Sequence, residues 1–173
     1  MPRTSSPDGL GQLLEKQSSV VSRGQLLALG MSDRAMQYRV RRTGPWQKLL
    51  PGVYLAATGI PSLHQKELAA LLYAGPGSLL TGPMALMHHS IRSRSPVDVI
   101  DILVPVSRQR LSTGFARLHR TVRMPARASS LGSVPLAPVP RAVADTVRHS
   151  PFCETSAPWS RTRSSWAGAR SAS

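Results

Sequence analysis

Between residues 9 and 58, very few residues separate the end of one predicted helix from the start of the next. This spacing limits the fold more than any other feature. A short amphipathic helix over 9–17 precedes Ser22, a capping residue, and Gly30 follows seven residues of helical pattern, at the position where helices commonly end. Ser32 can cap a third helix, which the turn residues at 43–45 would end. Three helices with such short links must pack against one another.

Two short strands follow these helices directly. Trp46 to Leu50 is the first predicted strand, Pro51 and Gly52 supply the turn, and the apolar run at 53–55 returns as the second. Three helices followed by a hairpin predict a winged helix-turn-helix, a class of DNA-binding domain, over residues 9–58.

Residues 62–150 are predicted to form a small mixed α/β domain. Together with the winged helix-turn-helix, this domain predicts a fold of the α+β class. Its predicted elements are a helix with a capping box at Ser62 and Gln65, a short helix capped by Thr81, strands over Val97–Val104 and Phe115–Arg120, and a helix over Arg141–Arg148. Residues 1–8 are predicted to be a flexible arm. The segment at 151–173 contains no Leu, Ile, Val or Met and is predicted to be a disordered tail, or an out-of-frame one if the reading frame shifts near Phe152.

The chain is strongly basic. It has 22 Lys and Arg against 8 Asp and Glu, a net charge of +14 and a pI near 11.7, an excess that attracts polyanions such as nucleic acid. Because 19 of the 22 are Arg, GC-rich coding DNA could produce the same excess, so charge alone does not decide the partner.

The third helix places its polar residues on one face. At about 100° per residue, Gln37, Tyr38, Arg41 and Arg42 fall near Arg34, and Met36 and Val40 fall opposite. Arg suits guanine, Gln suits adenine, and Tyr can reach a phosphate or a thymine methyl group. Arg39 lies at the margin and is expected to cover the edge of the core. The alternative to DNA recognition is that this polar face of the third helix is an ordinary solvated face. The predicted DNA-binding residues are Ser32, Arg34, Gln37, Tyr38, Arg41, Arg42 and Lys48, the last on the hairpin.

Several runs together resemble one family. Residues 20–32 (VVSRGQLLALGMS), the strand 46–50 and the "PGVY" at 51–54 are similar to the N-terminal domain of actinobacterial AbiEi antitoxins of type IV toxin–antitoxin systems. Further similar runs are 74–77, the helix containing His88, 104–105, 118–121 and 140–145. The resemblance covers about residues 10–150. It implies a repressor that binds its own promoter, and a second domain that counteracts a nucleotidyltransferase-type toxin.

The same resemblance leaves a second possibility open. Relatives with this N-terminal half continue into a domain similar to very-short-patch-repair endonucleases. The chain would then be a truncated relative without the catalytic domain. A nonspecific RNA-binding protein is a third possibility, which we rank lower because only 5% of the residues are aromatic and base stacking needs such side chains.

The acidic and metal-binding residue types do not indicate an enzyme. Asp98 and Asp101 lie three apart in a predicted strand and so should face opposite ways, and Asp145 follows Arg141 by four residues, the spacing of an ion pair on a helix. The histidines lack ligand spacing, and the single Cys153 cannot form an internal disulfide. We therefore expect no catalytic residue, metal or cofactor.

The sequence says less about the cellular location and the oligomeric state of the protein. The chain has no apolar run long enough for a membrane span and no apolar stretch typical of a secretory signal at its start, so we expect a cytoplasmic protein without a membrane partner. Nothing in the sequence defines a dimer interface, so the oligomeric state stays open.

Overall fold

The computed structural model describes residues 9–92 and 98–148, which form six helices and two sheets. The helices are α1 (Leu10–Lys16), α2 (Arg23–Ala28), α3 (Asp33–Val40), α4 (Leu63–Ala74), α5 (Gly82–His88) and α6 (Val139–Arg148). The strands are β1 (Val20–Ser22), β2 (Gln47–Leu50), β3 (Val53–Leu55), β4 (Leu79–Leu80), β5 (Ile100–Pro105), β6 (Ala116–Thr121), β7 (Ser129–Leu131) and β8 (Val134–Leu136). The predicted α+β class is confirmed. The predicted arm and tail, with Cys153, lie outside the described residues.

The first sheet is antiparallel and has the order β1-β3-β2. Because side chains alternate along a strand, Val21 and Tyr54 pack with the cluster that α1, α2 and α3 bury, whereas Val20 and Leu55 face the cluster that contains α4. The sheet therefore has helices on both faces. Strand β1 was not predicted, because three residues are too few to show an alternating pattern, and it forms by pairing with β3.

The hairpin of β2 and β3 turns through two residues, as its sequence predicts. Leu50 pairs with Val53 across Pro51 and Gly52, and Gly52 has φ 73°, a conformation that favours glycine. The Gly52 carbonyl oxygen accepts a hydrogen bond from the Arg23 amide at 2.7 Å. The turn of the hairpin is thus held against the start of α2.

Helix α4 contacts strands of both sheets. Its predicted capping box is confirmed, since Ser62 accepts from the Gln65 amide and the Gln65 side chain accepts from the Ser62 amide. Leu68, Leu71 and Tyr73 are buried in one cluster with residues of β3 and β5. The two predicted domains, 9–58 and 62–150, meet just before this helix, and residues of both lie in this one cluster.

The second sheet has the order β6-β5-β4-β8-β7, with β5 parallel to β6 and β4 antiparallel to β5. The strand predicted over 97–104 begins at Ile100, and residue 97 lies outside the described residues. Asp98 precedes this strand, so the prediction that it shares a strand with Asp101 was wrong. Strands β4, β7 and β8 have two or three residues each, too few for a sequence pattern.

Two predicted side-chain roles near α5 and α6 have different outcomes. The ion pair between Arg141 and Asp145 is confirmed, with Arg141 Nε 2.9 Å from Asp145 Oδ2. Thr81 precedes α5 as predicted, but its side chain does not cap the helix. Its hydroxyl donates to Asp145 Oδ2 at 2.7 Å instead, because α6 brings that buried carboxylate within reach. In the part of the chain that the structure describes, no helix has the length and apolar character needed to cross a membrane.

Candidate nucleic-acid interface

Helix α3 is short and held at both ends. The Ser32 hydroxyl oxygen accepts from the Ala35 amide at 3.3 Å, and Met36 is buried against the other helices. The helix ends at Val40, and Arg41 has an extended ψ of 162°. Hydrogen bonds from the Gly44 amide to the Arg41 carbonyl, and from the Trp46 amide to the Arg39 carbonyl, turn the chain toward β2.

This early end corrects the helical projection of two predicted site residues. Arg41 and Arg42 lie beyond the last helical residue, so angles of about 100° per residue do not place them. Both side chains are nevertheless exposed. The Arg41 guanidinium carbon lies 3.9 Å from the centre of the Tyr38 ring. This contact places the positive charge of Arg41 at the outer face of α3.

The outer face of α3 carries a continuous polar stripe. Arg34, Gln37 and Tyr38 are exposed at helical spacings of three and four, and Arg41 stacks on Tyr38 at the end of the row. We call these four residues the α3 ridge. A guanidinium stacked on a ring keeps its N–H donors in its own plane, so Arg41 can still donate to an acceptor at its edge.

Arg39 takes the position expected for it. Its guanidinium carbon lies 5.1 Å from the centre of the buried Trp46 ring, and the side chain is half-buried. The prediction that Arg39 covers the edge of the core is confirmed.

A groove of about 340 Å³ separates α3 from the hairpin. Lys48, which pairs with Tyr54 across the hairpin, lines this groove together with Gln37 and Arg41. On the opposite flank of α3, Ser32 lines a second hollow with Arg34 and Tyr38. The structure therefore brings six of the seven predicted residues around α3, and Arg42 is exposed in the turn that follows.

One further cation lines the groove and could not be predicted from a local sequence pattern. Arg23, at the start of α2, donates from Nε and Nη2 to the two carboxylate oxygens of Asp33 at 2.9 and 2.6 Å. The hydrogen bond and the charge of Asp33 raise the pKa of Arg23 above its ordinary value, so the guanidinium stays protonated. This pair neutralises the one acidic residue of α3, and its ten-residue separation follows no local pattern.

The buried carboxylates outside this interface are each engaged by basic side chains. Glu67 lies 2.7 Å from His88, Asp101 lies 2.7 Å from His119, and Asp145 pairs with Arg141. In the described ranges, no three His, Cys, Asp or Glu side chains are grouped so that they could hold a metal ion.

Comparison with known proteins adds no relative. No protein-family model and no curated protein matches the chain. The resemblance to AbiEi antitoxins therefore depends on the residue runs quoted for it, and the function is argued below from the geometry around α3.

Proposed function

We propose that this protein is a DNA-binding transcriptional regulator whose helix α3 enters the major groove. The order α1-β1-α2-α3-β2-β3, with α2 and α3 joined by four residues, supports a winged helix-turn-helix. In a helix-turn-helix the second helix of the pair reads base edges. Here that helix is α3.

The observation that carries the proposal is the α3 ridge beside Lys48. Arg34, Gln37 and Arg41 are exposed side chains of the types that read guanine and adenine edges. Lys48 lies across the groove, where a phosphate next to the bases could be bound as a point charge. The Arg23–Asp33 pair removes the negative charge that would otherwise repel DNA from this groove.

The first test is a mobility shift of the full chain with the DNA immediately upstream of its own coding sequence. A scrambled duplex of equal length serves as competitor, at near-physiological salt. The full chain is needed because the outer face of the first sheet packs on α4, which a fragment ending near residue 60 would lack. Binding that survives the scrambled competitor supports sequence-specific recognition. Equal loss to both duplexes contradicts it.

Substitutions then identify the reading face. Arg34→Ala and Arg41→Ala should each weaken specific binding by about 1–3 kcal/mol, which is about 5- to 150-fold, with an unchanged melting temperature. Arg127→Ala is the matched control, because it removes the same charge from an exposed turn of the second unit. If both variants of the α3 ridge bind like this control, the α3 ridge does not read the DNA.

The finer proposal is that the regulator is the antitoxin and autorepressor of a type IV toxin–antitoxin system. The residues that resemble AbiEi antitoxins support it, and it assigns no catalytic step to the chain. Co-expression with the product of the adjacent gene tests it directly. Growth arrest by that product alone, relieved by this protein, is the expected result. A neighbouring product that does not arrest growth contradicts the antitoxin role but leaves DNA binding untouched.

A further inference from the structure

We infer that a second basic surface beside the hairpin binds the DNA backbone flanking the site that α3 reads. It is made by Arg108 and Arg110, in the loop between β5 and β6, and by Arg120 on β6. We call these three residues the basic loop. The inference rests on the proposed function, because it takes the occupant of α3 to be duplex DNA.

The three guanidinium groups are held by neutral partners. Arg108 Nη2 donates to the Pro76 carbonyl at 2.7 Å, Arg120 Nη2 donates to the Arg110 carbonyl at 3.1 Å, and Arg110 lies 5.0 Å over the Tyr73 ring. None of the ion pairs in the described part of the chain involves these three residues. Among the residues that the structure describes, none of the three charges is therefore offset by a carboxylate within ion-pair distance.

This arrangement differs from an ordinary solvated face. Surface arginines are commonly mobile, whereas Arg108 and Arg120 are each bonded to a backbone carbonyl and Arg110 lies over an aromatic ring. Each guanidinium has five N–H donors, of which Arg108 and Arg120 use one each in these contacts and Arg110 uses none. The remaining donors are already oriented, so less side-chain entropy is lost when they bind an anion.

The position of the loop favours DNA as that anion. The Tyr73 hydroxyl donates to the Leu111 carbonyl at 2.8 Å, which fixes the loop on the carboxyl-terminal half of α4. Farther along, a Cβ at Gly114 would lie 3.3 Å from the Leu50 side chain, at the turn of the hairpin. The segment that follows Arg108 and Arg110 therefore lies against the turn of the hairpin. In this proposal a duplex bound at α3 continues past the turn of the hairpin to this loop, where its phosphates accept from the fixed guanidinium groups.

The test compares the salt dependence of binding for the full chain and its Arg110→Ala/Arg120→Ala variant. The probes are labelled mixed-sequence duplexes of about 12 and about 24 base pairs, roughly one and two helical turns. Loss of two phosphate contacts should reduce the slope of log K against log salt by about 1.8 on the long duplex. Between 50 and 200 mM salt, the affinity of the variant should therefore fall about 12-fold less than the affinity of the wild type. On the short duplex, which α3 and the hairpin occupy, the two proteins should bind alike.

The control variant is Arg127→Ala/Arg148→Ala, which removes the same charge from exposed positions outside the loop. An unchanged slope in the basic-loop variant, or a change equal to that of the control, overturns the inference and leaves the loop to a partner other than DNA. Failure of the proposed function has a different signature. The wild type would then show no preference for its upstream sequence, whatever the slope of the basic-loop variant.

Discussion

Substitution of Leu55 by alanine tests whether the two units unfold together. Leu55 is 1% exposed on β3 and belongs to the cluster that also contains α4 and β5. Large-to-small changes at such sites cost about 2–5 kcal/mol, because the cavity collapses only in part. For a chain of this size the melting temperature should fall by about 6–15 °C.

Amide hydrogen exchange followed by mass spectrometry distinguishes shared from separate unfolding. If α4 couples the sheets, Leu55→Ala should reduce protection in β5 by about the same free energy as in β3. Leu27→Ala is the control, since this leucine is 41% exposed on α2 and its loss should cost less than about 0.5 kcal/mol. Normal protection in β5 together with lost protection in β3 would refute the coupling and mean that the first unit folds alone.

Two further substitutions test the ends of α3. Gly44→Ala should lower stability by about 1–3 kcal/mol in urea denaturation, because a Cβ there would lie 2.1 Å from the Arg39 carbonyl oxygen. A variant as stable as the wild type would show that this turn is not tightly packed. Asp33→Asn should tighten DNA binding about fivefold at low salt, because it leaves the charge of Arg23 unopposed, and the gain should vanish at high salt. Equal affinity at low salt would place the DNA elsewhere.

Several local features could be predicted from the sequence. The capping box of Ser62 and Gln65, the two-residue turn at Pro51 and Gly52, and the burial of Met36 opposite the polar face of α3 all follow from contacts within about four residues. Such contacts depend on backbone geometry that a short run of residues sets for itself. The ion pair of Arg141 with Asp145 belongs to the same class.

Tertiary packing decided the features that join distant residues. Strands β1 and β4 gain their hydrogen bonds only from partners elsewhere in the chain. Thr81 bonds to Asp145 across 64 residues instead of capping its own helix. The pairing of Arg23 with Asp33, and the contact of Gly114 with Leu50 of the hairpin, also arise from packing. The capping box of Ser62 and the polar face of α3 could be predicted from the sequence because their partners are near in the chain. The groove and the basic loop form only when the fold brings separate segments together.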